Sequence, residues 1–197
     1  MAKYRVTVFT GDYIVRQLTA NRERCDVYIE QHFDAKLNDR ESDADNYCSV
    51  LVAHNASPRS KAIAKTYAAK CAKATGLPNA GVRQVAYGKH GDGNMRHTMM
   101  PAVLLESLFI SDMSQAEFAS SEAGQEMLAQ LIVDTVVEHF PDGCHVALSA
   151  GHRGQTSKND PGAPAANGRW EGDLAVQVVA KAAALFRKLD TEAVANA

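Results

Sequence analysis

What this sequence has little of narrows it first. Its four cysteines, Cys25, Cys48, Cys71 and Cys144, stand far apart with no CxxC pair, which excludes a zinc knuckle and a thioredoxin-like redox motif. Thiols so placed are most simply reduced and packed inside. No apolar run approaches the roughly 18 residues needed to span a bilayer. The opening MAKYRVTVFTGDY lacks the basic and apolar regions of a signal peptide, so synthesis in the cytoplasm without a signal peptide is expected. No block of like charge occurs. Lys plus Arg number 21 against 23 Asp plus Glu, a formal charge of -2 with a pI near 6.4, which gives nucleic-acid or anionic-membrane binding little support. No internal repeat or low-complexity linker marks a boundary, so residues 1–197 are expected to form a single domain.

What is there is an ordinary globular composition, 46% hydrophobic and 22% charged. A chain of 197 residues can bury roughly 70% of its unfolded surface, enough for a core without disulfides. Short segments rich in Val, Ile, Leu and Tyr predict strands over Tyr4 to Phe9, Asp26 to Gln31, Cys48 to Ala53, Ala102 to Ser107 and Cys144 to Ser149. Between them lie helical patterns. Ser57-Pro58 opens, and Gly76 with Pro78 closes, a helix over Pro58 to Thr75. Met127, Leu128, Leu131, Ile132, Thr135, Val136 and Phe140 form one stripe in a helix over Glu122 to Phe140. A last helix, from about Glu171 to Leu189, places Leu174, Val178, Ala182, Leu185 and Leu189 on one face. The alternation predicts an α/β domain whose central sheet, mostly parallel or mixed, carries helices on both faces. Two long connections, Phe33 to Tyr47 and Arg153 to Arg169, are candidates for functional loops.

Chemistry begins at HVALSAGHRGQTSKND, where a buried strand ends in Gly151-His152. Glycine lets backbone and ligand approach closely, and His is a common zinc ligand. Glu171, at the mouth of the last helix, is a candidate for the same metal; its plainer role is a favourable partner for the helix dipole. His152 likewise has a plainer reading, as a hydrogen-bonded loop residue. A strand delivers His32 to its C-terminal edge, and two histidines with one carboxylate make a hydrolytic zinc set with a position open for water. In MMPAVLLESLFISD the apolar strand Ala102 to Leu105 runs into Glu106. Shielding there would raise its carboxyl pKa toward the range of a general acid/base; otherwise Glu106 faces solvent or pairs with an Arg.

Together these segments resemble the zinc-dependent N-acetylmuramoyl-L-alanine amidases of the type 3 family. SAGHRG resembles the family's "DPGHGG", WEGDLAVQVVAKAAALF its Glu-headed first helix, and LTANRERCDVYIEQHFDA its "AN…DlfiSIHaNa" segment. PAVLLESLFISD resembles "PavLvEtgFisN" and is the most specific of the four, while GLPNAGVRQ fits the "gl.nrGvk" stretch between them. The order differs, since the "GHGG" strand and Glu helix open the family's pattern and here come last. The sequence therefore resembles a circular permutant, joined through Pro141-Asp142-Gly143, with YRVTVFTGD as the family's second strand. That arrangement expects Tyr4 to Phe9 in one sheet with Cys144 to Ser149, and Met1 near Ala197.

The resemblance implies zinc ligands at His152, Glu171 and His32, a catalytic glutamate at Glu106, and peptidoglycan as substrate. It implies cleavage of the amide between N-acetylmuramic acid and L-alanine, with Glu106 taking a proton from a zinc-activated water and passing it to the leaving amine. Arg153 in GHRG and the bulkier EQHFDA depart from the pattern and bear on substrate preference. AHNAS offers His54 as a competing third ligand; His32 ranks above it because Ala20-Asn21 and Asp26 supply the preceding family pattern. His90, His97, His139 and His145 lack such framing and are expected at the surface or in support, with Arg96 and His97 as possible cleft residues. A catalytic domain of this kind suits a phage or prophage endolysin that acts on the cell wall after release through a pore. The alternatives are a zinc peptidase acting on stem peptides or other small amides, and a metal-free murein-binding module.

Overall fold

The computed structural model describes residues 3–36, 46–152 and 160–195. Within them the elements run β1 (Tyr4–Phe9), α1 (Tyr13–Arg22), β2 (Val27–Asp34), β3 (Cys48–Val52), α2 (Pro58–Thr75), β4 (Asn79–Gln84), β5 (Ala102–Phe109), α3 (Met113–Ser120), α4 (Glu122–His139), β6 (Cys144–Ala150) and α5 (Glu171–Ala195), with a 3₁₀ turn at Asp92–Asn94 before β5. Local chemistry sets the helix ends. Ser57 caps α2 by accepting from the Ser60 N–H at 3.1 Å, Pro58 occupies its first turn, and Gly76 ends it at φ +74°.

All six strands join one sheet in the order β1-β6-β2-β5-β3-β4. The first four are mutually parallel, β3 runs antiparallel to β5, and β4 is parallel to β3. The sheet is therefore mixed, as expected, and β1 pairs directly with β6 from Tyr4↔Cys144 to Phe9↔Ser149. Met1 and Ala197 lie outside the described residues.

Side-chain alternation divides the core in two. Val27, Ile29, Val50, Val52, Val103, Leu105, Val146 and Leu148 join the large cluster formed with α2, α4 and α5. Tyr28, Leu51, Leu104 and Ala147 point to the other face, where Ala20 of α1 and Met95 cover them. Helices thus lie on both faces. From α5 the buried residues Leu174, Val178, Ala182 and Phe186 enter the larger cluster; full burial of each large side chain among them stabilises by about 1.5–3 kcal/mol.

Three elements carry no expectation from the sequence. α1 buries Arg16, Gln17 and Ala20 while exposing Val15 and Leu18, which inverts the usual apolar stripe. β4 is an edge strand with most of its side chains exposed or half-buried, and α3 spans only 8 residues. Strands β2, β5 and β6 run past their expected ends, β6 by one residue. β2 and β5 stay paired through Asp34↔Phe109, past an irregularity after His32, so His32 and Glu106 lie within strands rather than at their ends.

Candidate metal centre

The site forms where β2, β5 and β6 lie side by side. Tyr28, Glu30 and His32 alternate onto one face of β2, and Glu106 stands opposite His32 as its register partner on β5. On the other side the β6 ladder continues to Gly151, whose N–H donates to Gln31 O at 2.8 Å. A Cβ at Gly151 would land on the His32 ring, so only glycine lets the two strands close here. His152 follows at φ +62°, a left-handed conformation that a non-glycine residue adopts only when its surroundings impose it. Its imidazole thereby meets that of His32 edge to face, with centroids 4.9 Å apart.

Glu171, the first residue of α5, closes the cluster. Its Oε1 lies 3.0 Å from His32 Nδ1 and accepts from the Phe33 N–H at 3.2 Å; its Oε2 lies 3.0 Å from His152 Nε2 and accepts from the Ala163 N–H at 3.1 Å. Burial opposes its ionisation, yet the hydrogen bonds to His152 and His32 hold its carboxyl far below the usual range. One donor atom from each of His32, His152 and Glu171 falls within 4.8 Å of the others. The remaining ring nitrogens are held from behind. His32 Nε2 lies 2.9 Å from Glu30 Oε1, and His152 Nδ1 lies 3.1 Å from Asp160 Oδ2. Burial works against His32 protonation, but Glu171 and Glu30 raise its pKa to about 10.

His32, His152, Asp160 and Glu171 line a cavity of about 440 Å³ that also reaches Glu106 and His90. Glu106 is 7% exposed, and its Oε2 has no hydrogen-bond partner. Burial pushes its pKa well above the usual carboxylate range; the His32 cation opposes this and Asp34 adds to it. The arrangement offers two imidazoles and a carboxylate to one point, with a second, protonatable carboxyl beside them.

The structure brings together His32, His152, Glu171 and Glu106. It keeps His54 apart: that ring contacts Asp92 Oδ1 at 2.7 Å and packs edge-on against Tyr87. His139 contacts Thr66 and His145 contacts Thr7. Arg96 and His97, possible cleft residues from the sequence, contact each other and lie outside the cavity lining, with Arg96 turned to Asp92. His90 lines the cavity, although nothing in its sequence context marked it. Arg153 lies outside the described residues. Glu30 and Asp160 were not anticipated either. For Glu30 a signal existed, since a residue two places before His32 on a strand shares its face.

The sequence profile described as N-acetylmuramoyl-L-alanine amidase matches residues 7–138. The chain belongs to this amidase family. Solved structures similar to this amidase-family protein include the N-acetylmuramoyl-L-alanine amidase from Clostridium difficile 630, at TM-score 0.57 and 22% identity over 66% of each chain. The catalytic domain of CwlV, the amidase from Bacillus (Paenibacillus) polymyxa var. colistinus, matches at TM-score 0.55 and 25% identity, again over 66% of each chain. The amidase Ami1 from Mycobacterium smegmatis matches at TM-score 0.54 and 18% identity, over 66% of this chain and 60% of that one. The chain thus spans less than two thirds of the length of each of these structures, 66%, 66% and 60%. Comparison with curated proteins gives no match.

Proposed function

We propose that the protein is a zinc-dependent peptidoglycan hydrolase that cleaves the amide between N-acetylmuramic acid and the L-alanine of the stem peptide. The observation that carries the reading is the convergence of His32, His152 and Glu171 beside the unpartnered buried carboxyl of Glu106. The donors fit zinc: two ring nitrogens and a carboxylate oxygen are a common catalytic set, and each imidazole is oriented by a carboxylate on its far side. His32, His152 and Glu171 would hold the zinc, which when bound would supply Lewis-acid polarisation of the scissile carbonyl and make water more acidic. Glu106, at the cavity wall, takes a proton from the attacking water and delivers it to the leaving amine of L-alanine. Its raised pKa suits the second role. The products are a glycan with a free lactyl carboxylate and a peptide with a new amino terminus.

We further infer a circularly permuted element order. The family match ends at residue 138, in α4, whereas His152 and Glu171 lie beyond it. The β6 strand that leads to His152 nevertheless lies inside the sheet, between β1 and β2. The proposal includes action on the cell wall as a phage or prophage endolysin that passes a separately made pore. Among the described residues no helix is long and apolar enough to cross a membrane.

Mass analysis of digested sacculi tests the reaction. New amines on L-alanine, lost on chelation and restored by zinc, support it. New amines at internal stem-peptide positions would indicate a zinc peptidase, and binding without release a murein-binding module. Lysis of permeabilised but not intact cells by added protein tests the endolysin role.

A further inference from the structure

Glu30 lies behind His32 and takes no part in the proton transfers above. It is fully buried, a setting that is costly for a carboxylate unless its oxygens are paired. Four donors meet it. His32 Nε2 at 2.9 Å, Asn94 Nδ2 at 2.6 Å and Arg16 Nη2 at 3.4 Å converge on Oε1, and the Tyr28 hydroxyl donates to Oε2 at 2.6 Å. Arg16 is 1% exposed, and its Nη1 donates to Ser149 Oγ and Ala150 O, both at 2.6 Å. Ala150 closes β6, two places before His152. One guanidinium from α1 therefore touches the strand of His32 through Glu30 and the strand leading to His152 through a backbone carbonyl.

We propose that Glu30, anchored by Arg16, is a positioning residue that fixes His32 in its Nε2–H tautomer, so that Nδ1 turns its lone pair toward the metal position. An ionised carboxylate only accepts hydrogen bonds, so the ring nitrogen facing it carries the hydrogen. In a neutral imidazole the other nitrogen, here the one 3.0 Å from Glu171, is then the donor to a metal. His152 is held in the opposite sense, with Nδ1 on Asp160 and Nε2 toward Glu171. The two histidines would thus bind through different ring nitrogens. This rests on the metal reading above, and Arg16 extends it by tying both histidine-bearing strands to one buried charge.

The test uses zinc-loaded protein labelled with ¹⁵N-histidine. Long-range ¹H–¹⁵N correlations are expected to show hydrogen on Nε2 of His32 and on Nδ1 of His152; hydrogen on Nδ1 of His32 would overturn the proposal. Zinc affinity, measured by chelator competition, should fall about 10–100-fold in Glu30→Ala and less in Glu30→Gln, which keeps an accepting oxygen. Because Glu30→Ala strands a buried Arg16, the paired Arg16→Met/Glu30→Gln variant is measured alongside. A residue with a merely structural role would lower the melting temperature of the metal-free protein while leaving the zinc affinity and His32 tautomer of the folded protein unchanged. That result would overturn the proposal alone. Failure of wild-type protein to take up zinc would overturn the metal reading and this inference with it.

Discussion

His32 on β2 and Glu106 on β5 are register partners on the same face of the sheet, so one backbone ladder holds the proposed metal donor and the proposed proton carrier side by side. Glu106→Gln keeps the shape of the side chain and cannot accept the proton. Zinc should stay bound, folding should change little, and turnover should fall by about 10²-fold to 10⁴-fold. Loss of zinc would redraw Glu106 as a ligand, and full activity would move the base elsewhere.

His32 and His54 separate on metal content. Plasma emission spectrometry of His32→Ala should find little zinc and no lytic activity, since a three-ligand set cannot spare a donor. His54→Ala removes a ring that packs on Asp92 and Tyr87 and should keep nearly wild-type zinc. Equal zinc in His32→Ala and wild type would place the third ligand in another segment.

At Gly151 the issue is space. Adding one methyl group places it on the His32 ring, and the β6 ladder that fixes Gly151 to Gln31 leaves little room to yield. Gly151→Ala should weaken zinc binding by about 10-fold or more, the scale on which disturbed ligand orientation acts. Isothermal titration with zinc would refute this if the affinity were unchanged.

Asp92 offers a pH-dependent test away from the metal. Burial would raise its pKa, but the His54 and Gly88 N–H groups and the His54 ring hold it at about 2. Its stabilisation is therefore complete above roughly pH 4, the ordinary unfolded value, and is lost as pH falls toward 2. Urea midpoints for wild type and Asp92→Asn should converge across that interval. At neutral pH Asp92→Ala, which takes the buried acceptor away from these half-buried and exposed donors, should cost about 1–2 kcal/mol. Parallel midpoints from pH 5 to pH 2 would refute the assignment.

The elements with an apolar periodicity were legible in the sequence: the five strands and the helices bearing Ile63, Leu128 and Leu174. α1 was not, because its buried face is Arg16 and Gln17, polar groups that serve Glu30, β6 and the loop before β5 rather than a core. The four principal site residues were recoverable because each stands on or beside a strand or helix with a recognisable motif. Asp160, which holds His152, was not, because an Asp 8 positions further along the sequence carries no local pattern that pairs it with the ring. Glu30 shares the strand of His32, but a carboxylate inside an apolar strand gives no sign of its partners until α1 and Asn94 are in place.

The position of β6 between β1 and β2 bears on how the molecule assembles. Until β6 arrives those strands have no partner in common, and His32 meets Glu171 across 139 positions of sequence. Such distant pairings carry a large loop-closure cost and fold slowly. A nascent chain that has emerged only through α4 would hold β1 apart from the β2-β5-β3-β4 portion of the sheet, with open edges exposed to aggregation. His32, His152 and Glu171 could not converge in such a chain, so the proposed metal centre would form only near the end of folding.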